Sequence, residues 1–319
     1  MTGSPSHVTG DGDLGRAETI LRAACGDRVR TRFSLAPLTT FRIGGPAALF
    51  LEPESEADLV AVSEAVHRTG IPFAILGRGS NVLVADAGFP GLVVRLGRGY
   101  RWAGRDGDRL TAGGAMPLPA LAGVALAHGL AGLEFGIAIP ATLGGGVKMN
   151  AGAHGGELAD VVERVDLFRL RAGGAERWTA RRAAFEYRRS ALPEDAVVVA
   201  ATVALEPGDP GLIRARMDEA RTWRRRTQPI AEPNCGSVFK NPPHDHAARL
   251  IEEAGANGLS VGGASVSAKH ANFIVAAEGA SAVDVTELIG RIQERVDRTF
   301  GVRLETEVQM VGEPDRASR

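Results

Sequence analysis

The 319-residue chain is long for one hydrophobic core and predicts two or three domains. Its 44% hydrophobic and 24% charged residues place it among ordinary globular proteins. A formal net charge of -1 argues against a general polyanion binder, so no nucleic-acid partner is expected. No stretch approaches the roughly 20 apolar residues of a membrane helix, and no membrane insertion is expected.

Residues 1–13 are polar and glycine-rich and read as a mobile tail. There GDGDLG (10–15) fits G-x-G-x-x-G letter for letter. No strand precedes it, and Asp11 and Asp13 would repel a phosphate, so it is set aside as a dinucleotide motif. The opening also lacks a charged start followed by an apolar run, which makes a cytoplasmic location the expectation. PAALFLEP (46–53) reads as a strand. SEADLVAVSEAVHRTG (55–70) reads as a helix with Ser55 and Asp58 as a capping box, Leu59, Val62 and Val66 on one face, and Gly70 as its stop. FAILGRGSNVLVAD (73–86) is strand, tight turn, strand, and GLVVRL (91–96) adds another.

A helix is predicted over PLPALAGVALAHG (117–129). VVERVDLFRL (161–170) and AVVVAATVALEP (196–207) suggest antiparallel sheet, and EPGDPG (206–211) reads as a linker. Beyond it come helices over 211–227 and 246–255, a strand over 271–279, and a long helix over 281–301 capped by Ser281 and Asp284. The arginine-dense RARMDEARTWRRR (214–226) reads as a solvated helix face, with a phosphate-facing patch as the alternative. A last strand over 302–310 puts Val302, Leu304, Val308 and Met310 on one face and Arg303, Glu305, Glu307 and Gln309 on the other. Residues 313–319 read as a frayed end.

Chemistry concentrates in a few segments. GRGSN (77–81) and IPATLGGGVKMNAGAHGG (139–156) are glycine-rich, and neither is a Walker A loop or a Rossmann turn. Composition alone leaves two readings open: backbone brought close to a flat, dinucleotide-sized ligand, or tight turns and close packing. FEYRRSAL (185–192) sets a guanidinium beside an aromatic ring. AEPNCGSVFKNP (231–242) carries a thiol, an alcohol, an ammonium and carboxamides in a stretch that prolines and glycine keep from being helical. Cys25 and Cys235 lie far apart and predict neither a disulfide framework nor a zinc site; Cys235 reads as a small packing residue. HDH (244–246) suits a helix start, and no metal is expected.

Taken in order, TTFRIGGPA (39–47), LGRGSNVLVAD (76–86), IPATLGGGVKMNAGAHGGE (139–157), YRRS (187–190), GSVFKNP (236–242), SAKHANFIV (267–275) and LETEVQMVG (304–312) resemble the UDP-N-acetylenolpyruvoylglucosamine reductase family, flavoenzymes that make UDP-N-acetylmuramate for peptidoglycan. The resemblance spans nearly the whole chain beyond Leu14. It implies an α+β fold: a two-lobed FAD-binding part of the vanillyl-alcohol-oxidase kind over 14–209, with lobes of about 14–75 and 76–209, then a smaller α+β substrate-binding domain over 210–312. It also implies non-covalent FAD, NADPH as hydride donor, and UDP-N-acetylglucosamine enolpyruvate as substrate, with a monomer favoured.

Carried over by motif, Arg188, Ser237 and Glu307 are the implied catalytic residues. FAD falls to Gly77, Arg78, Gly79, Ser80 and Asn81 in the first glycine segment, and to Pro140, Thr142, Gly144, Gly145, Asn150, Gly152 and Ala153 in the second. Tyr187, Lys240, Asn241 and His270 are the implied substrate contacts. The chain departs from the pattern at His154, where tyrosine is common, at Cys235, where a small residue is usual, and at Thr142, where serine is frequent. With only Tyr100 and Tyr187 it resembles the shorter type that lacks an inserted tyrosine-bearing loop. Two rivals stay open: an FAD-linked sugar or alcohol oxidase on the same scaffold, and a catalytically silent nucleotide-sugar binder.

Overall fold

The computed structural model describes residues 11–313. Residues 1–10 of the expected tail and 314–319 of the expected frayed end lie outside the described residues. The expected tail is nonetheless too long, because Asp11–Cys25 is a helix. Its Ala17, Leu21 and Cys25 are buried against Leu59, Val62 and Val66 of the helix Glu56–Thr69. That apolar stripe outweighs the poor helix propensity of Gly12 and Gly15.

The first lobe is a four-stranded sheet in the order Arg30–Ser34, Pro46–Leu51, Phe89–Val94, Phe73–Ile75. The first pairing is antiparallel and the other two are parallel. The helix Glu56–Thr69 opens with the expected capping box, Ser55 and Asp58 each accepting from the other's backbone N–H, and closes on Gly70 in the left-handed conformation. Asp58 does more. It accepts two hydrogen bonds of 2.7 Å from the Arg28 guanidinium, which hold its carboxyl well below the usual carboxylate range. Because Phe89–Val94 sits in the middle of this sheet, the expected lobe boundary at 75/76 is too early. A glycine turn does not by itself end a sheet that later strands rejoin.

The second lobe is an antiparallel five-stranded sheet in the order Ala175–Thr179, Val162–Arg169, Ala196–Ala204, Arg109–Gly113, Ala103–Asp106. Ala196–Ala204 is buried along most of its length, which is why it reads as a nearly unbroken apolar run. Helix Leu118–Ala127 packs beside it, and so does helix Pro210–Thr227, whose Ile213, Met217 and Ala220 join the second lobe's core. The expected domain boundary at 209/210 is therefore also too early: the linker-like EPGDPG precedes a helix that folds back onto the lobe it leaves.

The third part has its own core. Val238, Phe239, Leu250, Ile251 and the stripe Val285, Leu288, Ile292, Val296 of helix Ala282–Phe300 pack over the small sheet Ser260–Val261, Ala264–Val266, Ile274–Ala276. That helix begins with the expected Ser281–Asp284 box, and Asp86 of the first glycine region caps it a second time, accepting from Ala282 and Val283 N–H at 2.8 and 3.1 Å. The last strand is shorter than expected. Only Gln309–Val311 is strand, paired in parallel with Val82–Val84. Leu304 and Val308 are buried as expected, but Met310 is 39% exposed, and 302–308 runs outside any sheet with a single bridge between Phe239 and Thr306, so the predicted alternation does not extend over the segment.

Candidate active site

A cleft of about 1310 Å³ lies where the three parts meet, lined by both glycine-rich segments and by residues of the Gly236–Ser237 loop. Pockets for drug-sized ligands run to about 1,000 Å³, so this one has room for a dinucleotide and part of a second ligand. Every cofactor candidate from the sequence lines it except Asn150.

The glycine wall is built from backbone. Gly79 has φ +68°, and a methyl group there would overlap the Leu38 carbonyl, so only glycine fits the turn. The two segments meet at Thr142. Its hydroxyl accepts from Gly145 N–H at 3.3 Å, capping Leu143–Lys148, and lies 2.9 Å from where a Cβ on Gly77 would stand. The tight-packing reading of the glycines is realised in these turns, and the same two segments line the cleft. These features fit a flat dinucleotide with a diphosphate.

Side chains make up the rest of the lining that matters here. Arg188 Nε pairs with Glu307 Oε1 at 3.2 Å, and Arg188 Nη2 donates to the Gly152 carbonyl at 3.0 Å. Arg188 holds φ +54°, an uncommon conformation for a non-glycine residue that costs on the order of 1–3 kcal/mol where surroundings impose it. Burial pushes the Glu307 carboxyl up from its ordinary value, against the opposing charges of Arg188 and Lys240. Ser237 lines the same cleft. Its loop is fixed by Asn272, which accepts from Phe239 N–H at 2.9 Å through Oδ1 and donates to the Phe239 carbonyl at 2.8 Å, while its own carbonyl accepts from Val238 N–H. The three candidate catalytic groups, scattered over the sequence, therefore share one cavity.

Asn150 is a correction. It is fully buried, its amide donating to the Glu186 carbonyl and its oxygen accepting from Ala159 N–H, so it braces the turn that carries Arg188 instead of facing the cleft. The four substrate candidates do not line the cleft either. Tyr187 is 47% exposed beside it, with the Arg188 guanidinium 4.8 Å from its ring centre. Asn241 Oδ1 accepts from Ala247 N–H at the start of helix Ala247–Glu253, and Lys240 Nζ pairs with Glu305. His270 is half-buried, which lowers its pKa, with Nδ1 accepting from Asn272 N–H. Cys235 is buried, as a packing residue should be, and burial pushes its thiol far above the ordinary range. Among the described residues no group of His, Cys, Asp or Glu is placed to hold a metal ion.

The sequence reading missed Arg224. It lines the cleft, its Nε donates to the Gln228 amide oxygen at 3.1 Å, and burial followed by the charge of Arg78 lowers its pKa. Its signal was present. The buried stripe of helix Pro210–Thr227 runs Ile213, Met217, Ala220, and the next position due on that face is 224. Arg221 of the same run pairs with Asp218 on the surface, so the solvated-face reading describes only part of the helix.

Comparison with known proteins agrees with this geometry. Residues 228–311 match the family model described as UDP-N-acetylenolpyruvoylglucosamine reductase, C-terminal domain, and residues 47–177 match the one described as FAD binding domain. The first match starts where helix Pro210–Thr227 ends. The UDP-N-acetylenolpyruvoylglucosamine reductase of Heliobacterium modesticaldum is 47% identical over 277 residues, covering 86% of this chain and 88% of that relative. That of an Anaeromyxobacter species is 45% identical, covering 96% and 95%. The crystal structure of the Thermus caldophilus reductase superposes with a TM-score of 0.78 at 37% identity, covering 89% of this chain and 98% of that one. With relatives this similar over nearly its full length, the chain belongs to the UDP-N-acetylenolpyruvoylglucosamine reductase family.

Proposed function

We propose that the cleft reduces the enol ether of UDP-N-acetylglucosamine enolpyruvate, with Arg188 and Glu307 stabilising charge on the substrate carboxylate and Ser237 supplying the proton. FAD is the cofactor and NADPH the hydride donor in this family assignment. When bound, FAD supplies a two-electron carrier that accepts hydride from one ligand and returns it to the other. The glycine wall would hold its diphosphate, and Arg78 and Arg224 would add charge there.

An enol ether is electron-rich and resists hydride, so charge must be drawn toward its carboxylate. Hydride addition at the methylene leaves negative charge on the adjacent carbon and carboxylate. Arg188 is placed to receive it: its guanidinium is fixed by Gly152 and Glu307 before substrate arrives, so little reorganisation is needed. Glu307, with its raised pKa, can hold a proton at the carboxyl and donate a hydrogen bond to the same charge. The Ser237 hydroxyl then gives its proton to the carbon. A free alcohol is a feeble acid, but a carbanion is basic enough to take the proton when the geometry is set.

The observation that carries this reading is the Arg188–Glu307 contact of 3.2 Å in the cleft that Ser237 also lines. Ser237→Ala tests it. NADPH should still bleach the flavin colour at near the wild-type rate, while recovery on adding the enolpyruvyl sugar nucleotide should slow by about 10²–10⁴-fold. Equal slowing of both steps, or normal recovery, would reject the role. We take the monomer to be the competent form. We place the reaction in the cytoplasm, in keeping with two free, buried cysteines; no helix among the described residues is long and apolar enough to cross a membrane.

A further inference from the structure

The flavin-side turn and the two proton-handling residues are mechanically one object. The Asn81 carboxamide donates to the Glu307 carbonyl at 3.0 Å, and the Asn81 carbonyl accepts from Gln309 N–H at 3.0 Å. The Glu307 N–H in turn donates to the Val238 carbonyl at 2.8 Å, one residue from Ser237. Glu307 is thus clamped through its backbone on both sides, by the glycine turn and by the serine loop. A second rail runs parallel to the first. The Gly79 carbonyl accepts from Thr40 N–H at 3.0 Å, the Thr40 carbonyl accepts from Asn234 N–H at 3.2 Å, and Asn234 Oδ1 accepts from Gly236 N–H at 2.9 Å, next to Ser237.

We propose that Asn81 is a positioning residue for the Glu307–Ser237 pair, and that its side chain does not serve as a flavin ligand. The proposal rests on the roles given to those two residues above. A carboxamide has two N–H donors, and one of them is engaged by a carbonyl in the catalytic segment. Gln309 Nε2 donates to the same carbonyl at 3.1 Å from two residues along the chain, and among the described residues it is Asn81 that ties that carbonyl to the glycine turn. The parallel pairing of Val82–Val84 with Gln309–Val311 continues the connection and keeps its register. Whatever sets the glycine turn therefore also sets the distance from Glu307 and Ser237 to the ligand.

Small displacements at such a site are costly, about 10²-fold for 1 Å. Asn81→Ala should keep its flavin and be bleached by NADPH at a rate within about twofold of wild type. Recovery with the enolpyruvyl substrate should slow by ten- to a hundredfold, and the pH dependence of that recovery should shift because the Glu307 carboxyl no longer sits in its wild-type surroundings. Asn81→Leu keeps the approximate shape, cannot donate to a carbonyl and adds no charge beside the diphosphate, so it should reproduce the Ala phenotype and guards against a packing artefact. Loss of flavin, or equal slowing of both steps, would make Asn81 a cofactor ligand and overturn the proposal. Unchanged recovery with an unchanged pH profile would overturn it too. Failure of the underlying roles shows up separately, as normal recovery in Ser237→Ala.

Discussion

The two walls of the cleft are built from different materials. The glycine wall is backbone, and its shape depends on what side chains are missing: Gly79 in the left-handed region against Leu38, Gly77 against the Thr142 hydroxyl. The other wall, in contact with the first, is made of side chains with fixed charge or protons, Arg188, Ser237 and Glu307, on a scaffold of buried amides, Asn150 and Asn272. The difference teaches where each wall is vulnerable. Adding atoms should harm the first, and changing chemistry at constant size should harm the second.

The largest effect expected on the side-chain wall is from Arg188→Lys. An ammonium keeps the charge but cannot engage Gly152 and Glu307 together while presenting a fork to a carboxylate. The enolpyruvyl step should fall by about 10²–10³-fold with flavin bleaching by NADPH intact, as stopped-flow absorbance would show; an unaffected second step would remove Arg188 from the mechanism. Next comes pH. The Glu307 carboxyl is raised by burial, and the form assigned to the reaction is the protonated one. The substrate step should therefore be fastest at low pH and decline by about tenfold per unit once pH passes that raised pKa. Glu307→Gln, neutral at every pH, should flatten this limb. A limb that persists in the variant would point to another group.

On the glycine wall, Gly79→Ala adds one methyl that overlaps the Leu38 carbonyl and forces the turn to shift, on top of a conformation that itself costs roughly 1–2 kcal/mol for an L-residue. It should weaken flavin retention by about tenfold or more, read as loss of colour on gel filtration, with little change in the chemistry of whatever fraction stays loaded. If the loaded fraction instead reacted slowly, the two walls would not be separable in the way their construction suggests. The smallest effect concerns Arg224. Replacing it with leucine completes the apolar stripe of its helix, so the flavin-free protein should gain about 1 kcal/mol of stability in denaturant unfolding. Binding of the diphosphate ligand should weaken at the same time.

How much of this could be read from sequence divides along the same line. Glycines at 77, 79, 144 and 145 announce themselves because few other pressures keep so many in one short run, and they do line the cleft. Helices with a capping box at one end and glycine at the other, as at 55–70 and 281–301, were legible nearly to the residue. Domain limits were not. Local punctuation marks where the chain turns, and neither the return of Phe89–Val94 to the first sheet nor the folding back of helix Pro210–Thr227 leaves a local trace. The same limit explains Asn150, whose motif neighbours face the cleft while it turns into the protein, and Lys240 and Asn241, whose polar groups serve Glu305 and a helix start. A motif gives membership of a region; the direction of each side chain comes from packing that is set many residues away.

The pairing of Gln309–Val311 with Val82–Val84 has a further consequence for biosynthesis. The two partners joined by Asn81 and Glu307 are 226 positions apart, and the later one is made only after both lobes. Both lobes can collapse on the ribosome well before that, yet no nascent chain short of this segment can assemble a working centre. An incomplete product would thus be folded in large part, able to compete for ligands, and inert.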